Sequence, residues 1–298
     1  LSIVDEQHRF GVAQRLRLRS KAQNLVPHQL MMSATPIPRT LAMSYYADLD
    51  VSVIDMLPPG RQPVRTRLIA EGRRDEVIAR VRTAVEQGRQ VYWVCPLIEE
   101  SEAIDLQTAM DTFEQLSVEL APLPVALIHG RMPAQDKENT MAKFVHGEVK
   151  VLVATTVIEV GVDVPQASLM VIENAERFGL AQLHQLRGRV GRGTEQSTCV
   201  LMYRNPLSEN ARGRLKALYE TADGFEIARR DLQLRGPGEF LGARQSGVPL
   251  LRYGDLERDT DLIEHARDLA VRLERKASPA LESLLDRWFG GREDFLKA

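Results

Sequence analysis

Between Thr66 and Tyr203 the chain repeats one pattern: a short, unbroken apolar run, then a longer stretch whose apolar residues recur at helical spacing. The runs are "QVYWVCPLI", "VALIH", "VKVLVAT", "LMVIE" and "STCVLMY", and a further strand, interrupted by Arg67, is expected at Thr66 to Ile69. A half-buried strand alternates apolar and polar residues; a strand apolar at every position has both faces covered. Such runs separated by helices specify an α/β fold, a parallel sheet with helices on both sides. Helices are expected over Arg73 to Gln87, with Gly88 as the stop, and from an N-cap at Ser101 through Leu106, Met110, Phe113 and Leu120. A third is expected between Pro133, which can start a helix, and Gly147, which can end one. In sheets of this kind the chemistry collects in loops beyond the carboxyl ends of the strands. Polar clusters fall at five such ends: "DEQH", "SATPIP", "PLIEES", "HGRM" and "TTVIEVGVD". Ordinary capping explains any one of them, and explains all five less well.

The segment "LPPGRQP", Leu57 to Pro63, carries three prolines and a glycine and interrupts the pattern. Before it lie two short strands, "LSIV" and "QLMMSAT", with a helix-capable stretch from Val12 to Asn24 between them. Beyond Pro206 the strand signal stops. Ala211 to Thr221 and Phe225 to Leu234 are expected to form a helical hairpin turning at Asp223-Gly224. A glycine-rich loop, "RGPGEFLGARQSG", follows, then an amphipathic helix from Asp255 to about Lys276 and a shorter one after Pro279. Four regions result: 1–57, 58–205, 206–250 and 251–298.

A length of 298 residues suffices for one large domain or two modest ones, each with its own core. Cys95 and Cys199 both sit inside apolar runs, so buried reduced thiols and a reducing cytoplasm are expected. No apolar stretch approaches the roughly 20 residues a membrane span needs, so no membrane partner is expected. A net charge of −2 argues against holding nucleic acid by bulk positive charge and leaves room for a local basic groove. Arginines gather from Arg187 to Arg192 and again at Arg229, Arg230, Arg235 and Arg244, close to glycines.

Asp5 and Glu6 close the first apolar run. On a buried strand end such a pair suits nucleotide hydrolysis: Asp5 would hold a magnesium ion, usually through its waters, and Glu6 could take a proton from an attacking water. An apolar run followed by Asp-Glu also occurs in surface turns, so the pair gains weight only from what surrounds it. "DEQHRFG", "SATPIPRT", "HGRM", "ATTVIEVGVDVP" and "HQLRGRVGRG", in that order, resemble the later motifs of superfamily 2 helicases and translocases. With "DLQLRGPGEFLGARQSG" the chain is similar throughout to the RecG family, bacterial ATP-dependent translocases that remodel stalled replication forks and branched DNA.

That resemblance implies a RecA-like second helicase lobe at 58–205, preceded by the end of a first lobe and followed by a hairpin with a translocation-coupling loop and C-terminal helices. It implies ATP and Mg2+ as cofactors. Asp5 and Glu6 match the metal and water-activating pair. Gln185, Arg189 and Arg192 match the motif whose arginines reach the γ-phosphate, the alternative being a salt-bridged surface loop. Gly161 and Asp163 match a ribose contact, and Thr155 a phosphate-backbone contact that could equally be a cap. His8, Ser33 and Thr35 match residues that couple hydrolysis to lobe movement. His129 and Gly130 match a nucleic-acid backbone contact, and Arg214, Arg235 and Gln245 the residues that link turnover to movement on double-stranded DNA. Branched or forked DNA is the expected partner of a monomer, with a single-strand-binding protein as a further candidate at the fork.

No lysine in the chain follows a glycine, so there is no Gly-Lys-Ser/Thr phosphate loop. The 298 residues alone are therefore expected not to hydrolyse ATP, and the chain is expected to begin within a first motor lobe. Two alternatives remain at this level: a transcription-repair coupling translocase of the Mfd type, and a non-catalytic lobe that docks on DNA.

Overall fold

The computed structural model describes residues 1–5, 27–33, 52–54, 56, 60–96, 102–155, 164–193, 195–235, 259–275, 283 and 287. Every apolar run forms a strand: β1 (Ser2–Val4), β2 (Gln29–Met31), β3 (Arg65–Ala70), β4 (Gln90–Val94), β5 (Val125–Ile128), β6 (Val151–Ala154), β7 (Ala167–Ile172) and β8 (Thr198–Tyr203). The helices are α1 (Arg74–Glu86), α2 (Glu102–Glu119), α3 (Ala134–Val145), α4 (Leu180–Arg187), α5 (Glu209–Glu220), α6 (Gly224–Arg235) and α7 (Thr260–Arg275). The chain divides into two compact units, one of Leu1–Ile54 with Arg235–Ala298 and one of Asp55–Leu234.

In the second unit six strands pair in parallel in the order β3-β8-β7-β4-β6-β5. The unbroken apolar runs are explained by what lies on each side. Val91 and Trp93 of β4, with Val151, Val153 and Val171, pack against Val77, Val81 and Val85 of α1, Leu116 of α2 and Leu120 just beyond it. Tyr92 and Val94, with Leu152, Met170 and Leu201, pack on the opposite face against Phe144 of α3, Leu183 and Leu186 of α4 and Leu215 and Leu218 of α5. Successive side chains of one strand thus enter different cores. Each fully buried aliphatic side chain contributes about 1.5–3 kcal/mol, which makes this sandwich the principal source of stability.

The hairpin belongs to the same core, since Ile227 of α6 joins Leu215 and Leu218. α5 starts two residues earlier than its apolar spacing predicts because the Ser208 hydroxyl accepts from the Ala211 N–H at 3.2 Å. Gly224 is helical and does not form the turn, because the Asp223 carboxylate accepts from the Phe225 N–H at 2.8 Å and caps α6. α7 covers the part of the expected C-terminal helix that lies within the described residues. The expected helix over Val12 to Asn24 and the Ser101 cap lie outside them; of the helix expected after Pro279, Ser283 and Arg287 are described and are helical.

One expectation fails. The strand that ends in Asp5 is not buried: Val4 is, but Ile3 is 58% exposed and Leu30 of β2 is 49% exposed. Among the described residues β1 pairs with β2 alone, and Ile3 points away from the face that takes Val4. Among the described residues, too, no helix is long and apolar enough to cross a membrane.

Leu183→Ala is expected to lower the unfolding free energy by about 2–5 kcal/mol in a denaturant titration, because the site is closed on every side. Val118→Ala, at a residue 79% exposed, is expected to change it by less than about 0.5 kcal/mol.

Candidate functional site

Leu180, Leu183 and Leu186, three residues apart, hold α4 against the sheet. Its start is fixed by the Gln182 side chain, which accepts from the Gly179 N–H at 3.1 Å. Gln185 is consequently half-buried, and the helix delivers the chain directly into the loop Gly188 to Gly193. Arg189 is half-buried on this loop and Arg192 exposed. The loop is tightly enclosed. Gly191 has a φ of +80°, and a Cβ there would lie 2.7 Å from Val64 Cγ2; a Cβ on Gly193 would lie 2.6 Å from the Pro165 carbonyl oxygen. Only glycine meets both demands at Gly191.

A second group forms at the carboxyl ends of β5 and β6. Ile128 and Ala154 are register partners, and the Thr155 N–H donates to the Ile128 carbonyl at 3.2 Å, so His129 and Thr155 leave the sheet side by side. His129 Nδ1 and Thr155 Oγ1 are both buried without a hydrogen-bond partner. Leaving such an atom unpaired costs about 1–3 kcal/mol, so two together at strand ends mark a polar site. Lys137 Nζ donates to the Gly130 carbonyl at 2.6 Å. Burial, and then the charges of Lys137 and Arg131, lower the His129 pKa and so favour the neutral ring.

Comparison with known proteins decides the family. A model of the helicase conserved C-terminal domain matches residues 74–194, and one of ATP-dependent DNA helicase RecG, domain 3, C-terminal, matches residues 221–283. The chain belongs to the RecG-type helicases. It is 56% identical over 99% of its length to ATP-dependent DNA helicase RecG of Acidithiobacillus ferridurans and 48% identical over 92% to that of Bacillus subtilis, spanning 43% and 40% of those relatives. It also resembles a solved structure of RecG bound to a three-way DNA junction, with a TM-score of 0.67 and 45% identity over 88% of this chain and 33% of that one. The likeness to yeast Dbp5 bound to RNA and ADP BeF3, at 14% identity and a TM-score of 0.52, extends to the fold alone.

In this RecG-type chain the hairpin is tied to α4 from two directions. Arg214 of α5 donates to the Glu176 carbonyl at 2.8 Å, in the turn that leads to α4. Arg187, the last residue of α4, is 4% exposed and reaches the other end of α5. Its Nη1 donates to the carbonyls of Leu218 at 2.9 Å and Thr221 at 2.8 Å and to Thr66 Oγ1 at 3.4 Å; its Nη2 reaches the Ala222 carbonyl at 3.4 Å and His184 Nδ1 at 3.2 Å. The last carbonyls of a helix have no partners within it and carry its negative dipole end, so a buried guanidinium fits there without a carboxylate. Sequence reasoning missed Arg187, although Leu180, Leu183 and Arg187 share the helical spacing that defines the buried face.

Asp5 is exposed at the end of β1, and the register Val4↔Met31 brings it to the same end of the ribbon as Ser33. Asp5 and Ser33 belong to one compact unit and the arginine loop to the other. Glu6, His8, Thr35, Gly161, Asp163 and Gln245 lie outside the described residues, as does the side chain of Arg235, which ends α6.

Burial, followed by the nearby Arg187 charge, pushes the His184 pKa down to about 4. The unfolded chain binds a proton here below about pH 6.5 and the folded chain does not, so stability falls as pH drops from 6.5 towards 4 and stops falling, for this group, below that. A His184→Gln variant, which keeps a polar partner for Arg187, is expected to show a flatter melting-temperature profile across this window. Superimposable slopes would contradict the assignment.

Proposed function

We propose that this chain is the arginine-finger portion of an ATP-driven translocase on double-stranded DNA, one that remodels branched DNA and stalled forks in recombination and repair. The observation that carries this is the match of 88% of the chain, at 45% identity, to RecG bound to a three-way DNA junction. The RecG-specific model over residues 221–283 favours it over a transcription-coupling translocase. The enclosed arginine loop favours it over a passive docking lobe.

ATP, when bound, supplies the phosphoryl group that passes to water. Arg189 and Arg192 act on the charge that spreads over the phosphoryl oxygens, an effect of roughly 10³ to 10⁵ in rate. Gln185 orients at the same site. Asp5, exposed at the end of β1, would offer a carboxylate oxygen to a largely hydrated Mg2+ ion, which takes one or two protein ligands and keeps its waters. Glu6 takes the proton of the attacking water. Gly161 and Asp163 contact the ribose, while His8, Ser33 and Thr35 pass the nucleotide state to the lobes. At the other site, the Thr155 hydroxyl can donate to a DNA phosphate oxygen and His129 can pair beside it. Gly130 leaves room for the strand, and Lys137 and Arg131 add positive charge. Arg214, Arg235 and Gln245 carry movement into the hairpin and its loop, with Arg187 as the link between hairpin and α4. The protein works as a monomer in the cytoplasm, with a single-strand-binding protein as a partner at the fork. Two buried thiols, Cys95 and Cys199, suit that reducing setting.

In the full-length protein, Arg192→Ala is expected to lower kcat for junction-stimulated ATP hydrolysis by about 10³ or more, with a much smaller change in KM for ATP. Turnover within tenfold of the wild type would refute the finger assignment.

A further inference from the structure

The segment that follows the proline break does more than lead into β3, because it also grips the arginine loop. Arg61 Nε donates to the Gly191 carbonyl at 3.1 Å and Arg61 Nη2 to the Gly188 carbonyl at 3.4 Å. One planar guanidinium thus holds both glycine carbonyls on either side of Arg189, closing the turn from which it projects. Gly188 is the C-cap of α4, where the chain's own helical partners have run out, so the Arg61 donor meets an orphan acceptor at the negative end of the helix. The neighbouring residues reinforce the grip. Val64 packs where a side chain on Gly191 would stand, and Gln196 Nε2 donates to the Pro63 carbonyl at 2.8 Å. The Arg65 N–H then continues into the sheet by donating to Ser197 at 2.9 Å.

We infer that Arg61 is a positioning residue for the finger arginines: it ties the segment that leads into β3 to the loop that bears Arg189 and Arg192. Its place in the chain gives this a consequence. Arg61 precedes β3 and belongs to the same compact unit as the finger loop, so the course of the chain into β3 is held to that loop through two hydrogen bonds. The finger geometry is therefore set from this segment as well as from α4. Lysine, a point charge with no fork, does not reproduce the two separate nitrogens, Nε and Nη2, that meet the two carbonyls. The inference rests on the proposed phosphoryl-transfer role of this loop.

The test uses full-length protein with Arg61→Ala and Arg61→Lys, read by ATP turnover on junction DNA and by amide hydrogen exchange. A displaced loop is expected to lower kcat by about ten- to a hundredfold in Arg61→Ala, with no rescue by lysine and with KM for ATP and junction affinity within about threefold. Amides of residues 189–193 should exchange faster while those of β4, β6 and β7 keep their protection. A kcat within twofold of the wild type would overturn the inference, as would a loss of protection spread across the whole sheet. The proposed function fails separately if the wild-type protein shows no DNA-stimulated turnover; localised exchange at 189–193 would then still support the grip of Arg61.

Discussion

The guanidinium of Arg187 is the interaction around which the candidate site is built. A buried cation is costly unless its donors are met, and here they are met by three carbonyls at the end of α5, a hydroxyl on β3 and a ring nitrogen on α4 itself. None of these partners is a carboxylate, so the charge is balanced by helix and peptide dipoles. The arrangement is demanding in direction, and it fixes the end of the finger helix against the hairpin turn and the edge strand together. Burial lowers the pKa of this arginine, and the same burial keeps His184 neutral and able to accept.

From that fixed point the finger loop extends only a few residues, and each side of it is occupied. Arg61 and Val64 close it from the segment that leads into β3, Pro165 limits it at Gly193, and α4 holds its origin. The loop that bears Arg189 and Arg192 has little freedom to reorganise, which the charge-stabilising role proposed for them requires. The polar pair at β5 and β6 sits at the carboxyl edge of the same sheet, so the two sites share one rigid support.

The sheet was legible because burial on both faces leaves a plain mark in the sequence. "QVYWV" has no polar interruption since Val91 and Trp93 enter one core while Tyr92 and Val94 enter the other. The start of α5 and α6 was displaced by capping at Ser208 and Asp223, a local hydrogen-bond choice that apolar spacing does not record. The exposure of Ile3 was not legible, because an apolar run does not reveal how many strands will cover it. Among candidate site residues, Arg189 and Arg192 are proposed from their motif, and Arg187 was overlooked because a charged side chain is ordinarily read as exposed. Arg61 could not be found at all from local pattern, since its partners lie far along the chain and become neighbours only when β3 pairs with β8.

The central claim is that the Arg187 link joins chemistry at the finger loop to movement of the hairpin. The direct measurement is the amount of ATP consumed per base pair moved by the full-length protein on a forked substrate, compared between wild type and Arg187→Lys. A lysine can keep the charge but cannot reach three carbonyls, so the account predicts that more ATP is consumed for each base pair moved. A ratio equal to that of the wild type, whatever happens to either rate alone, would contradict it.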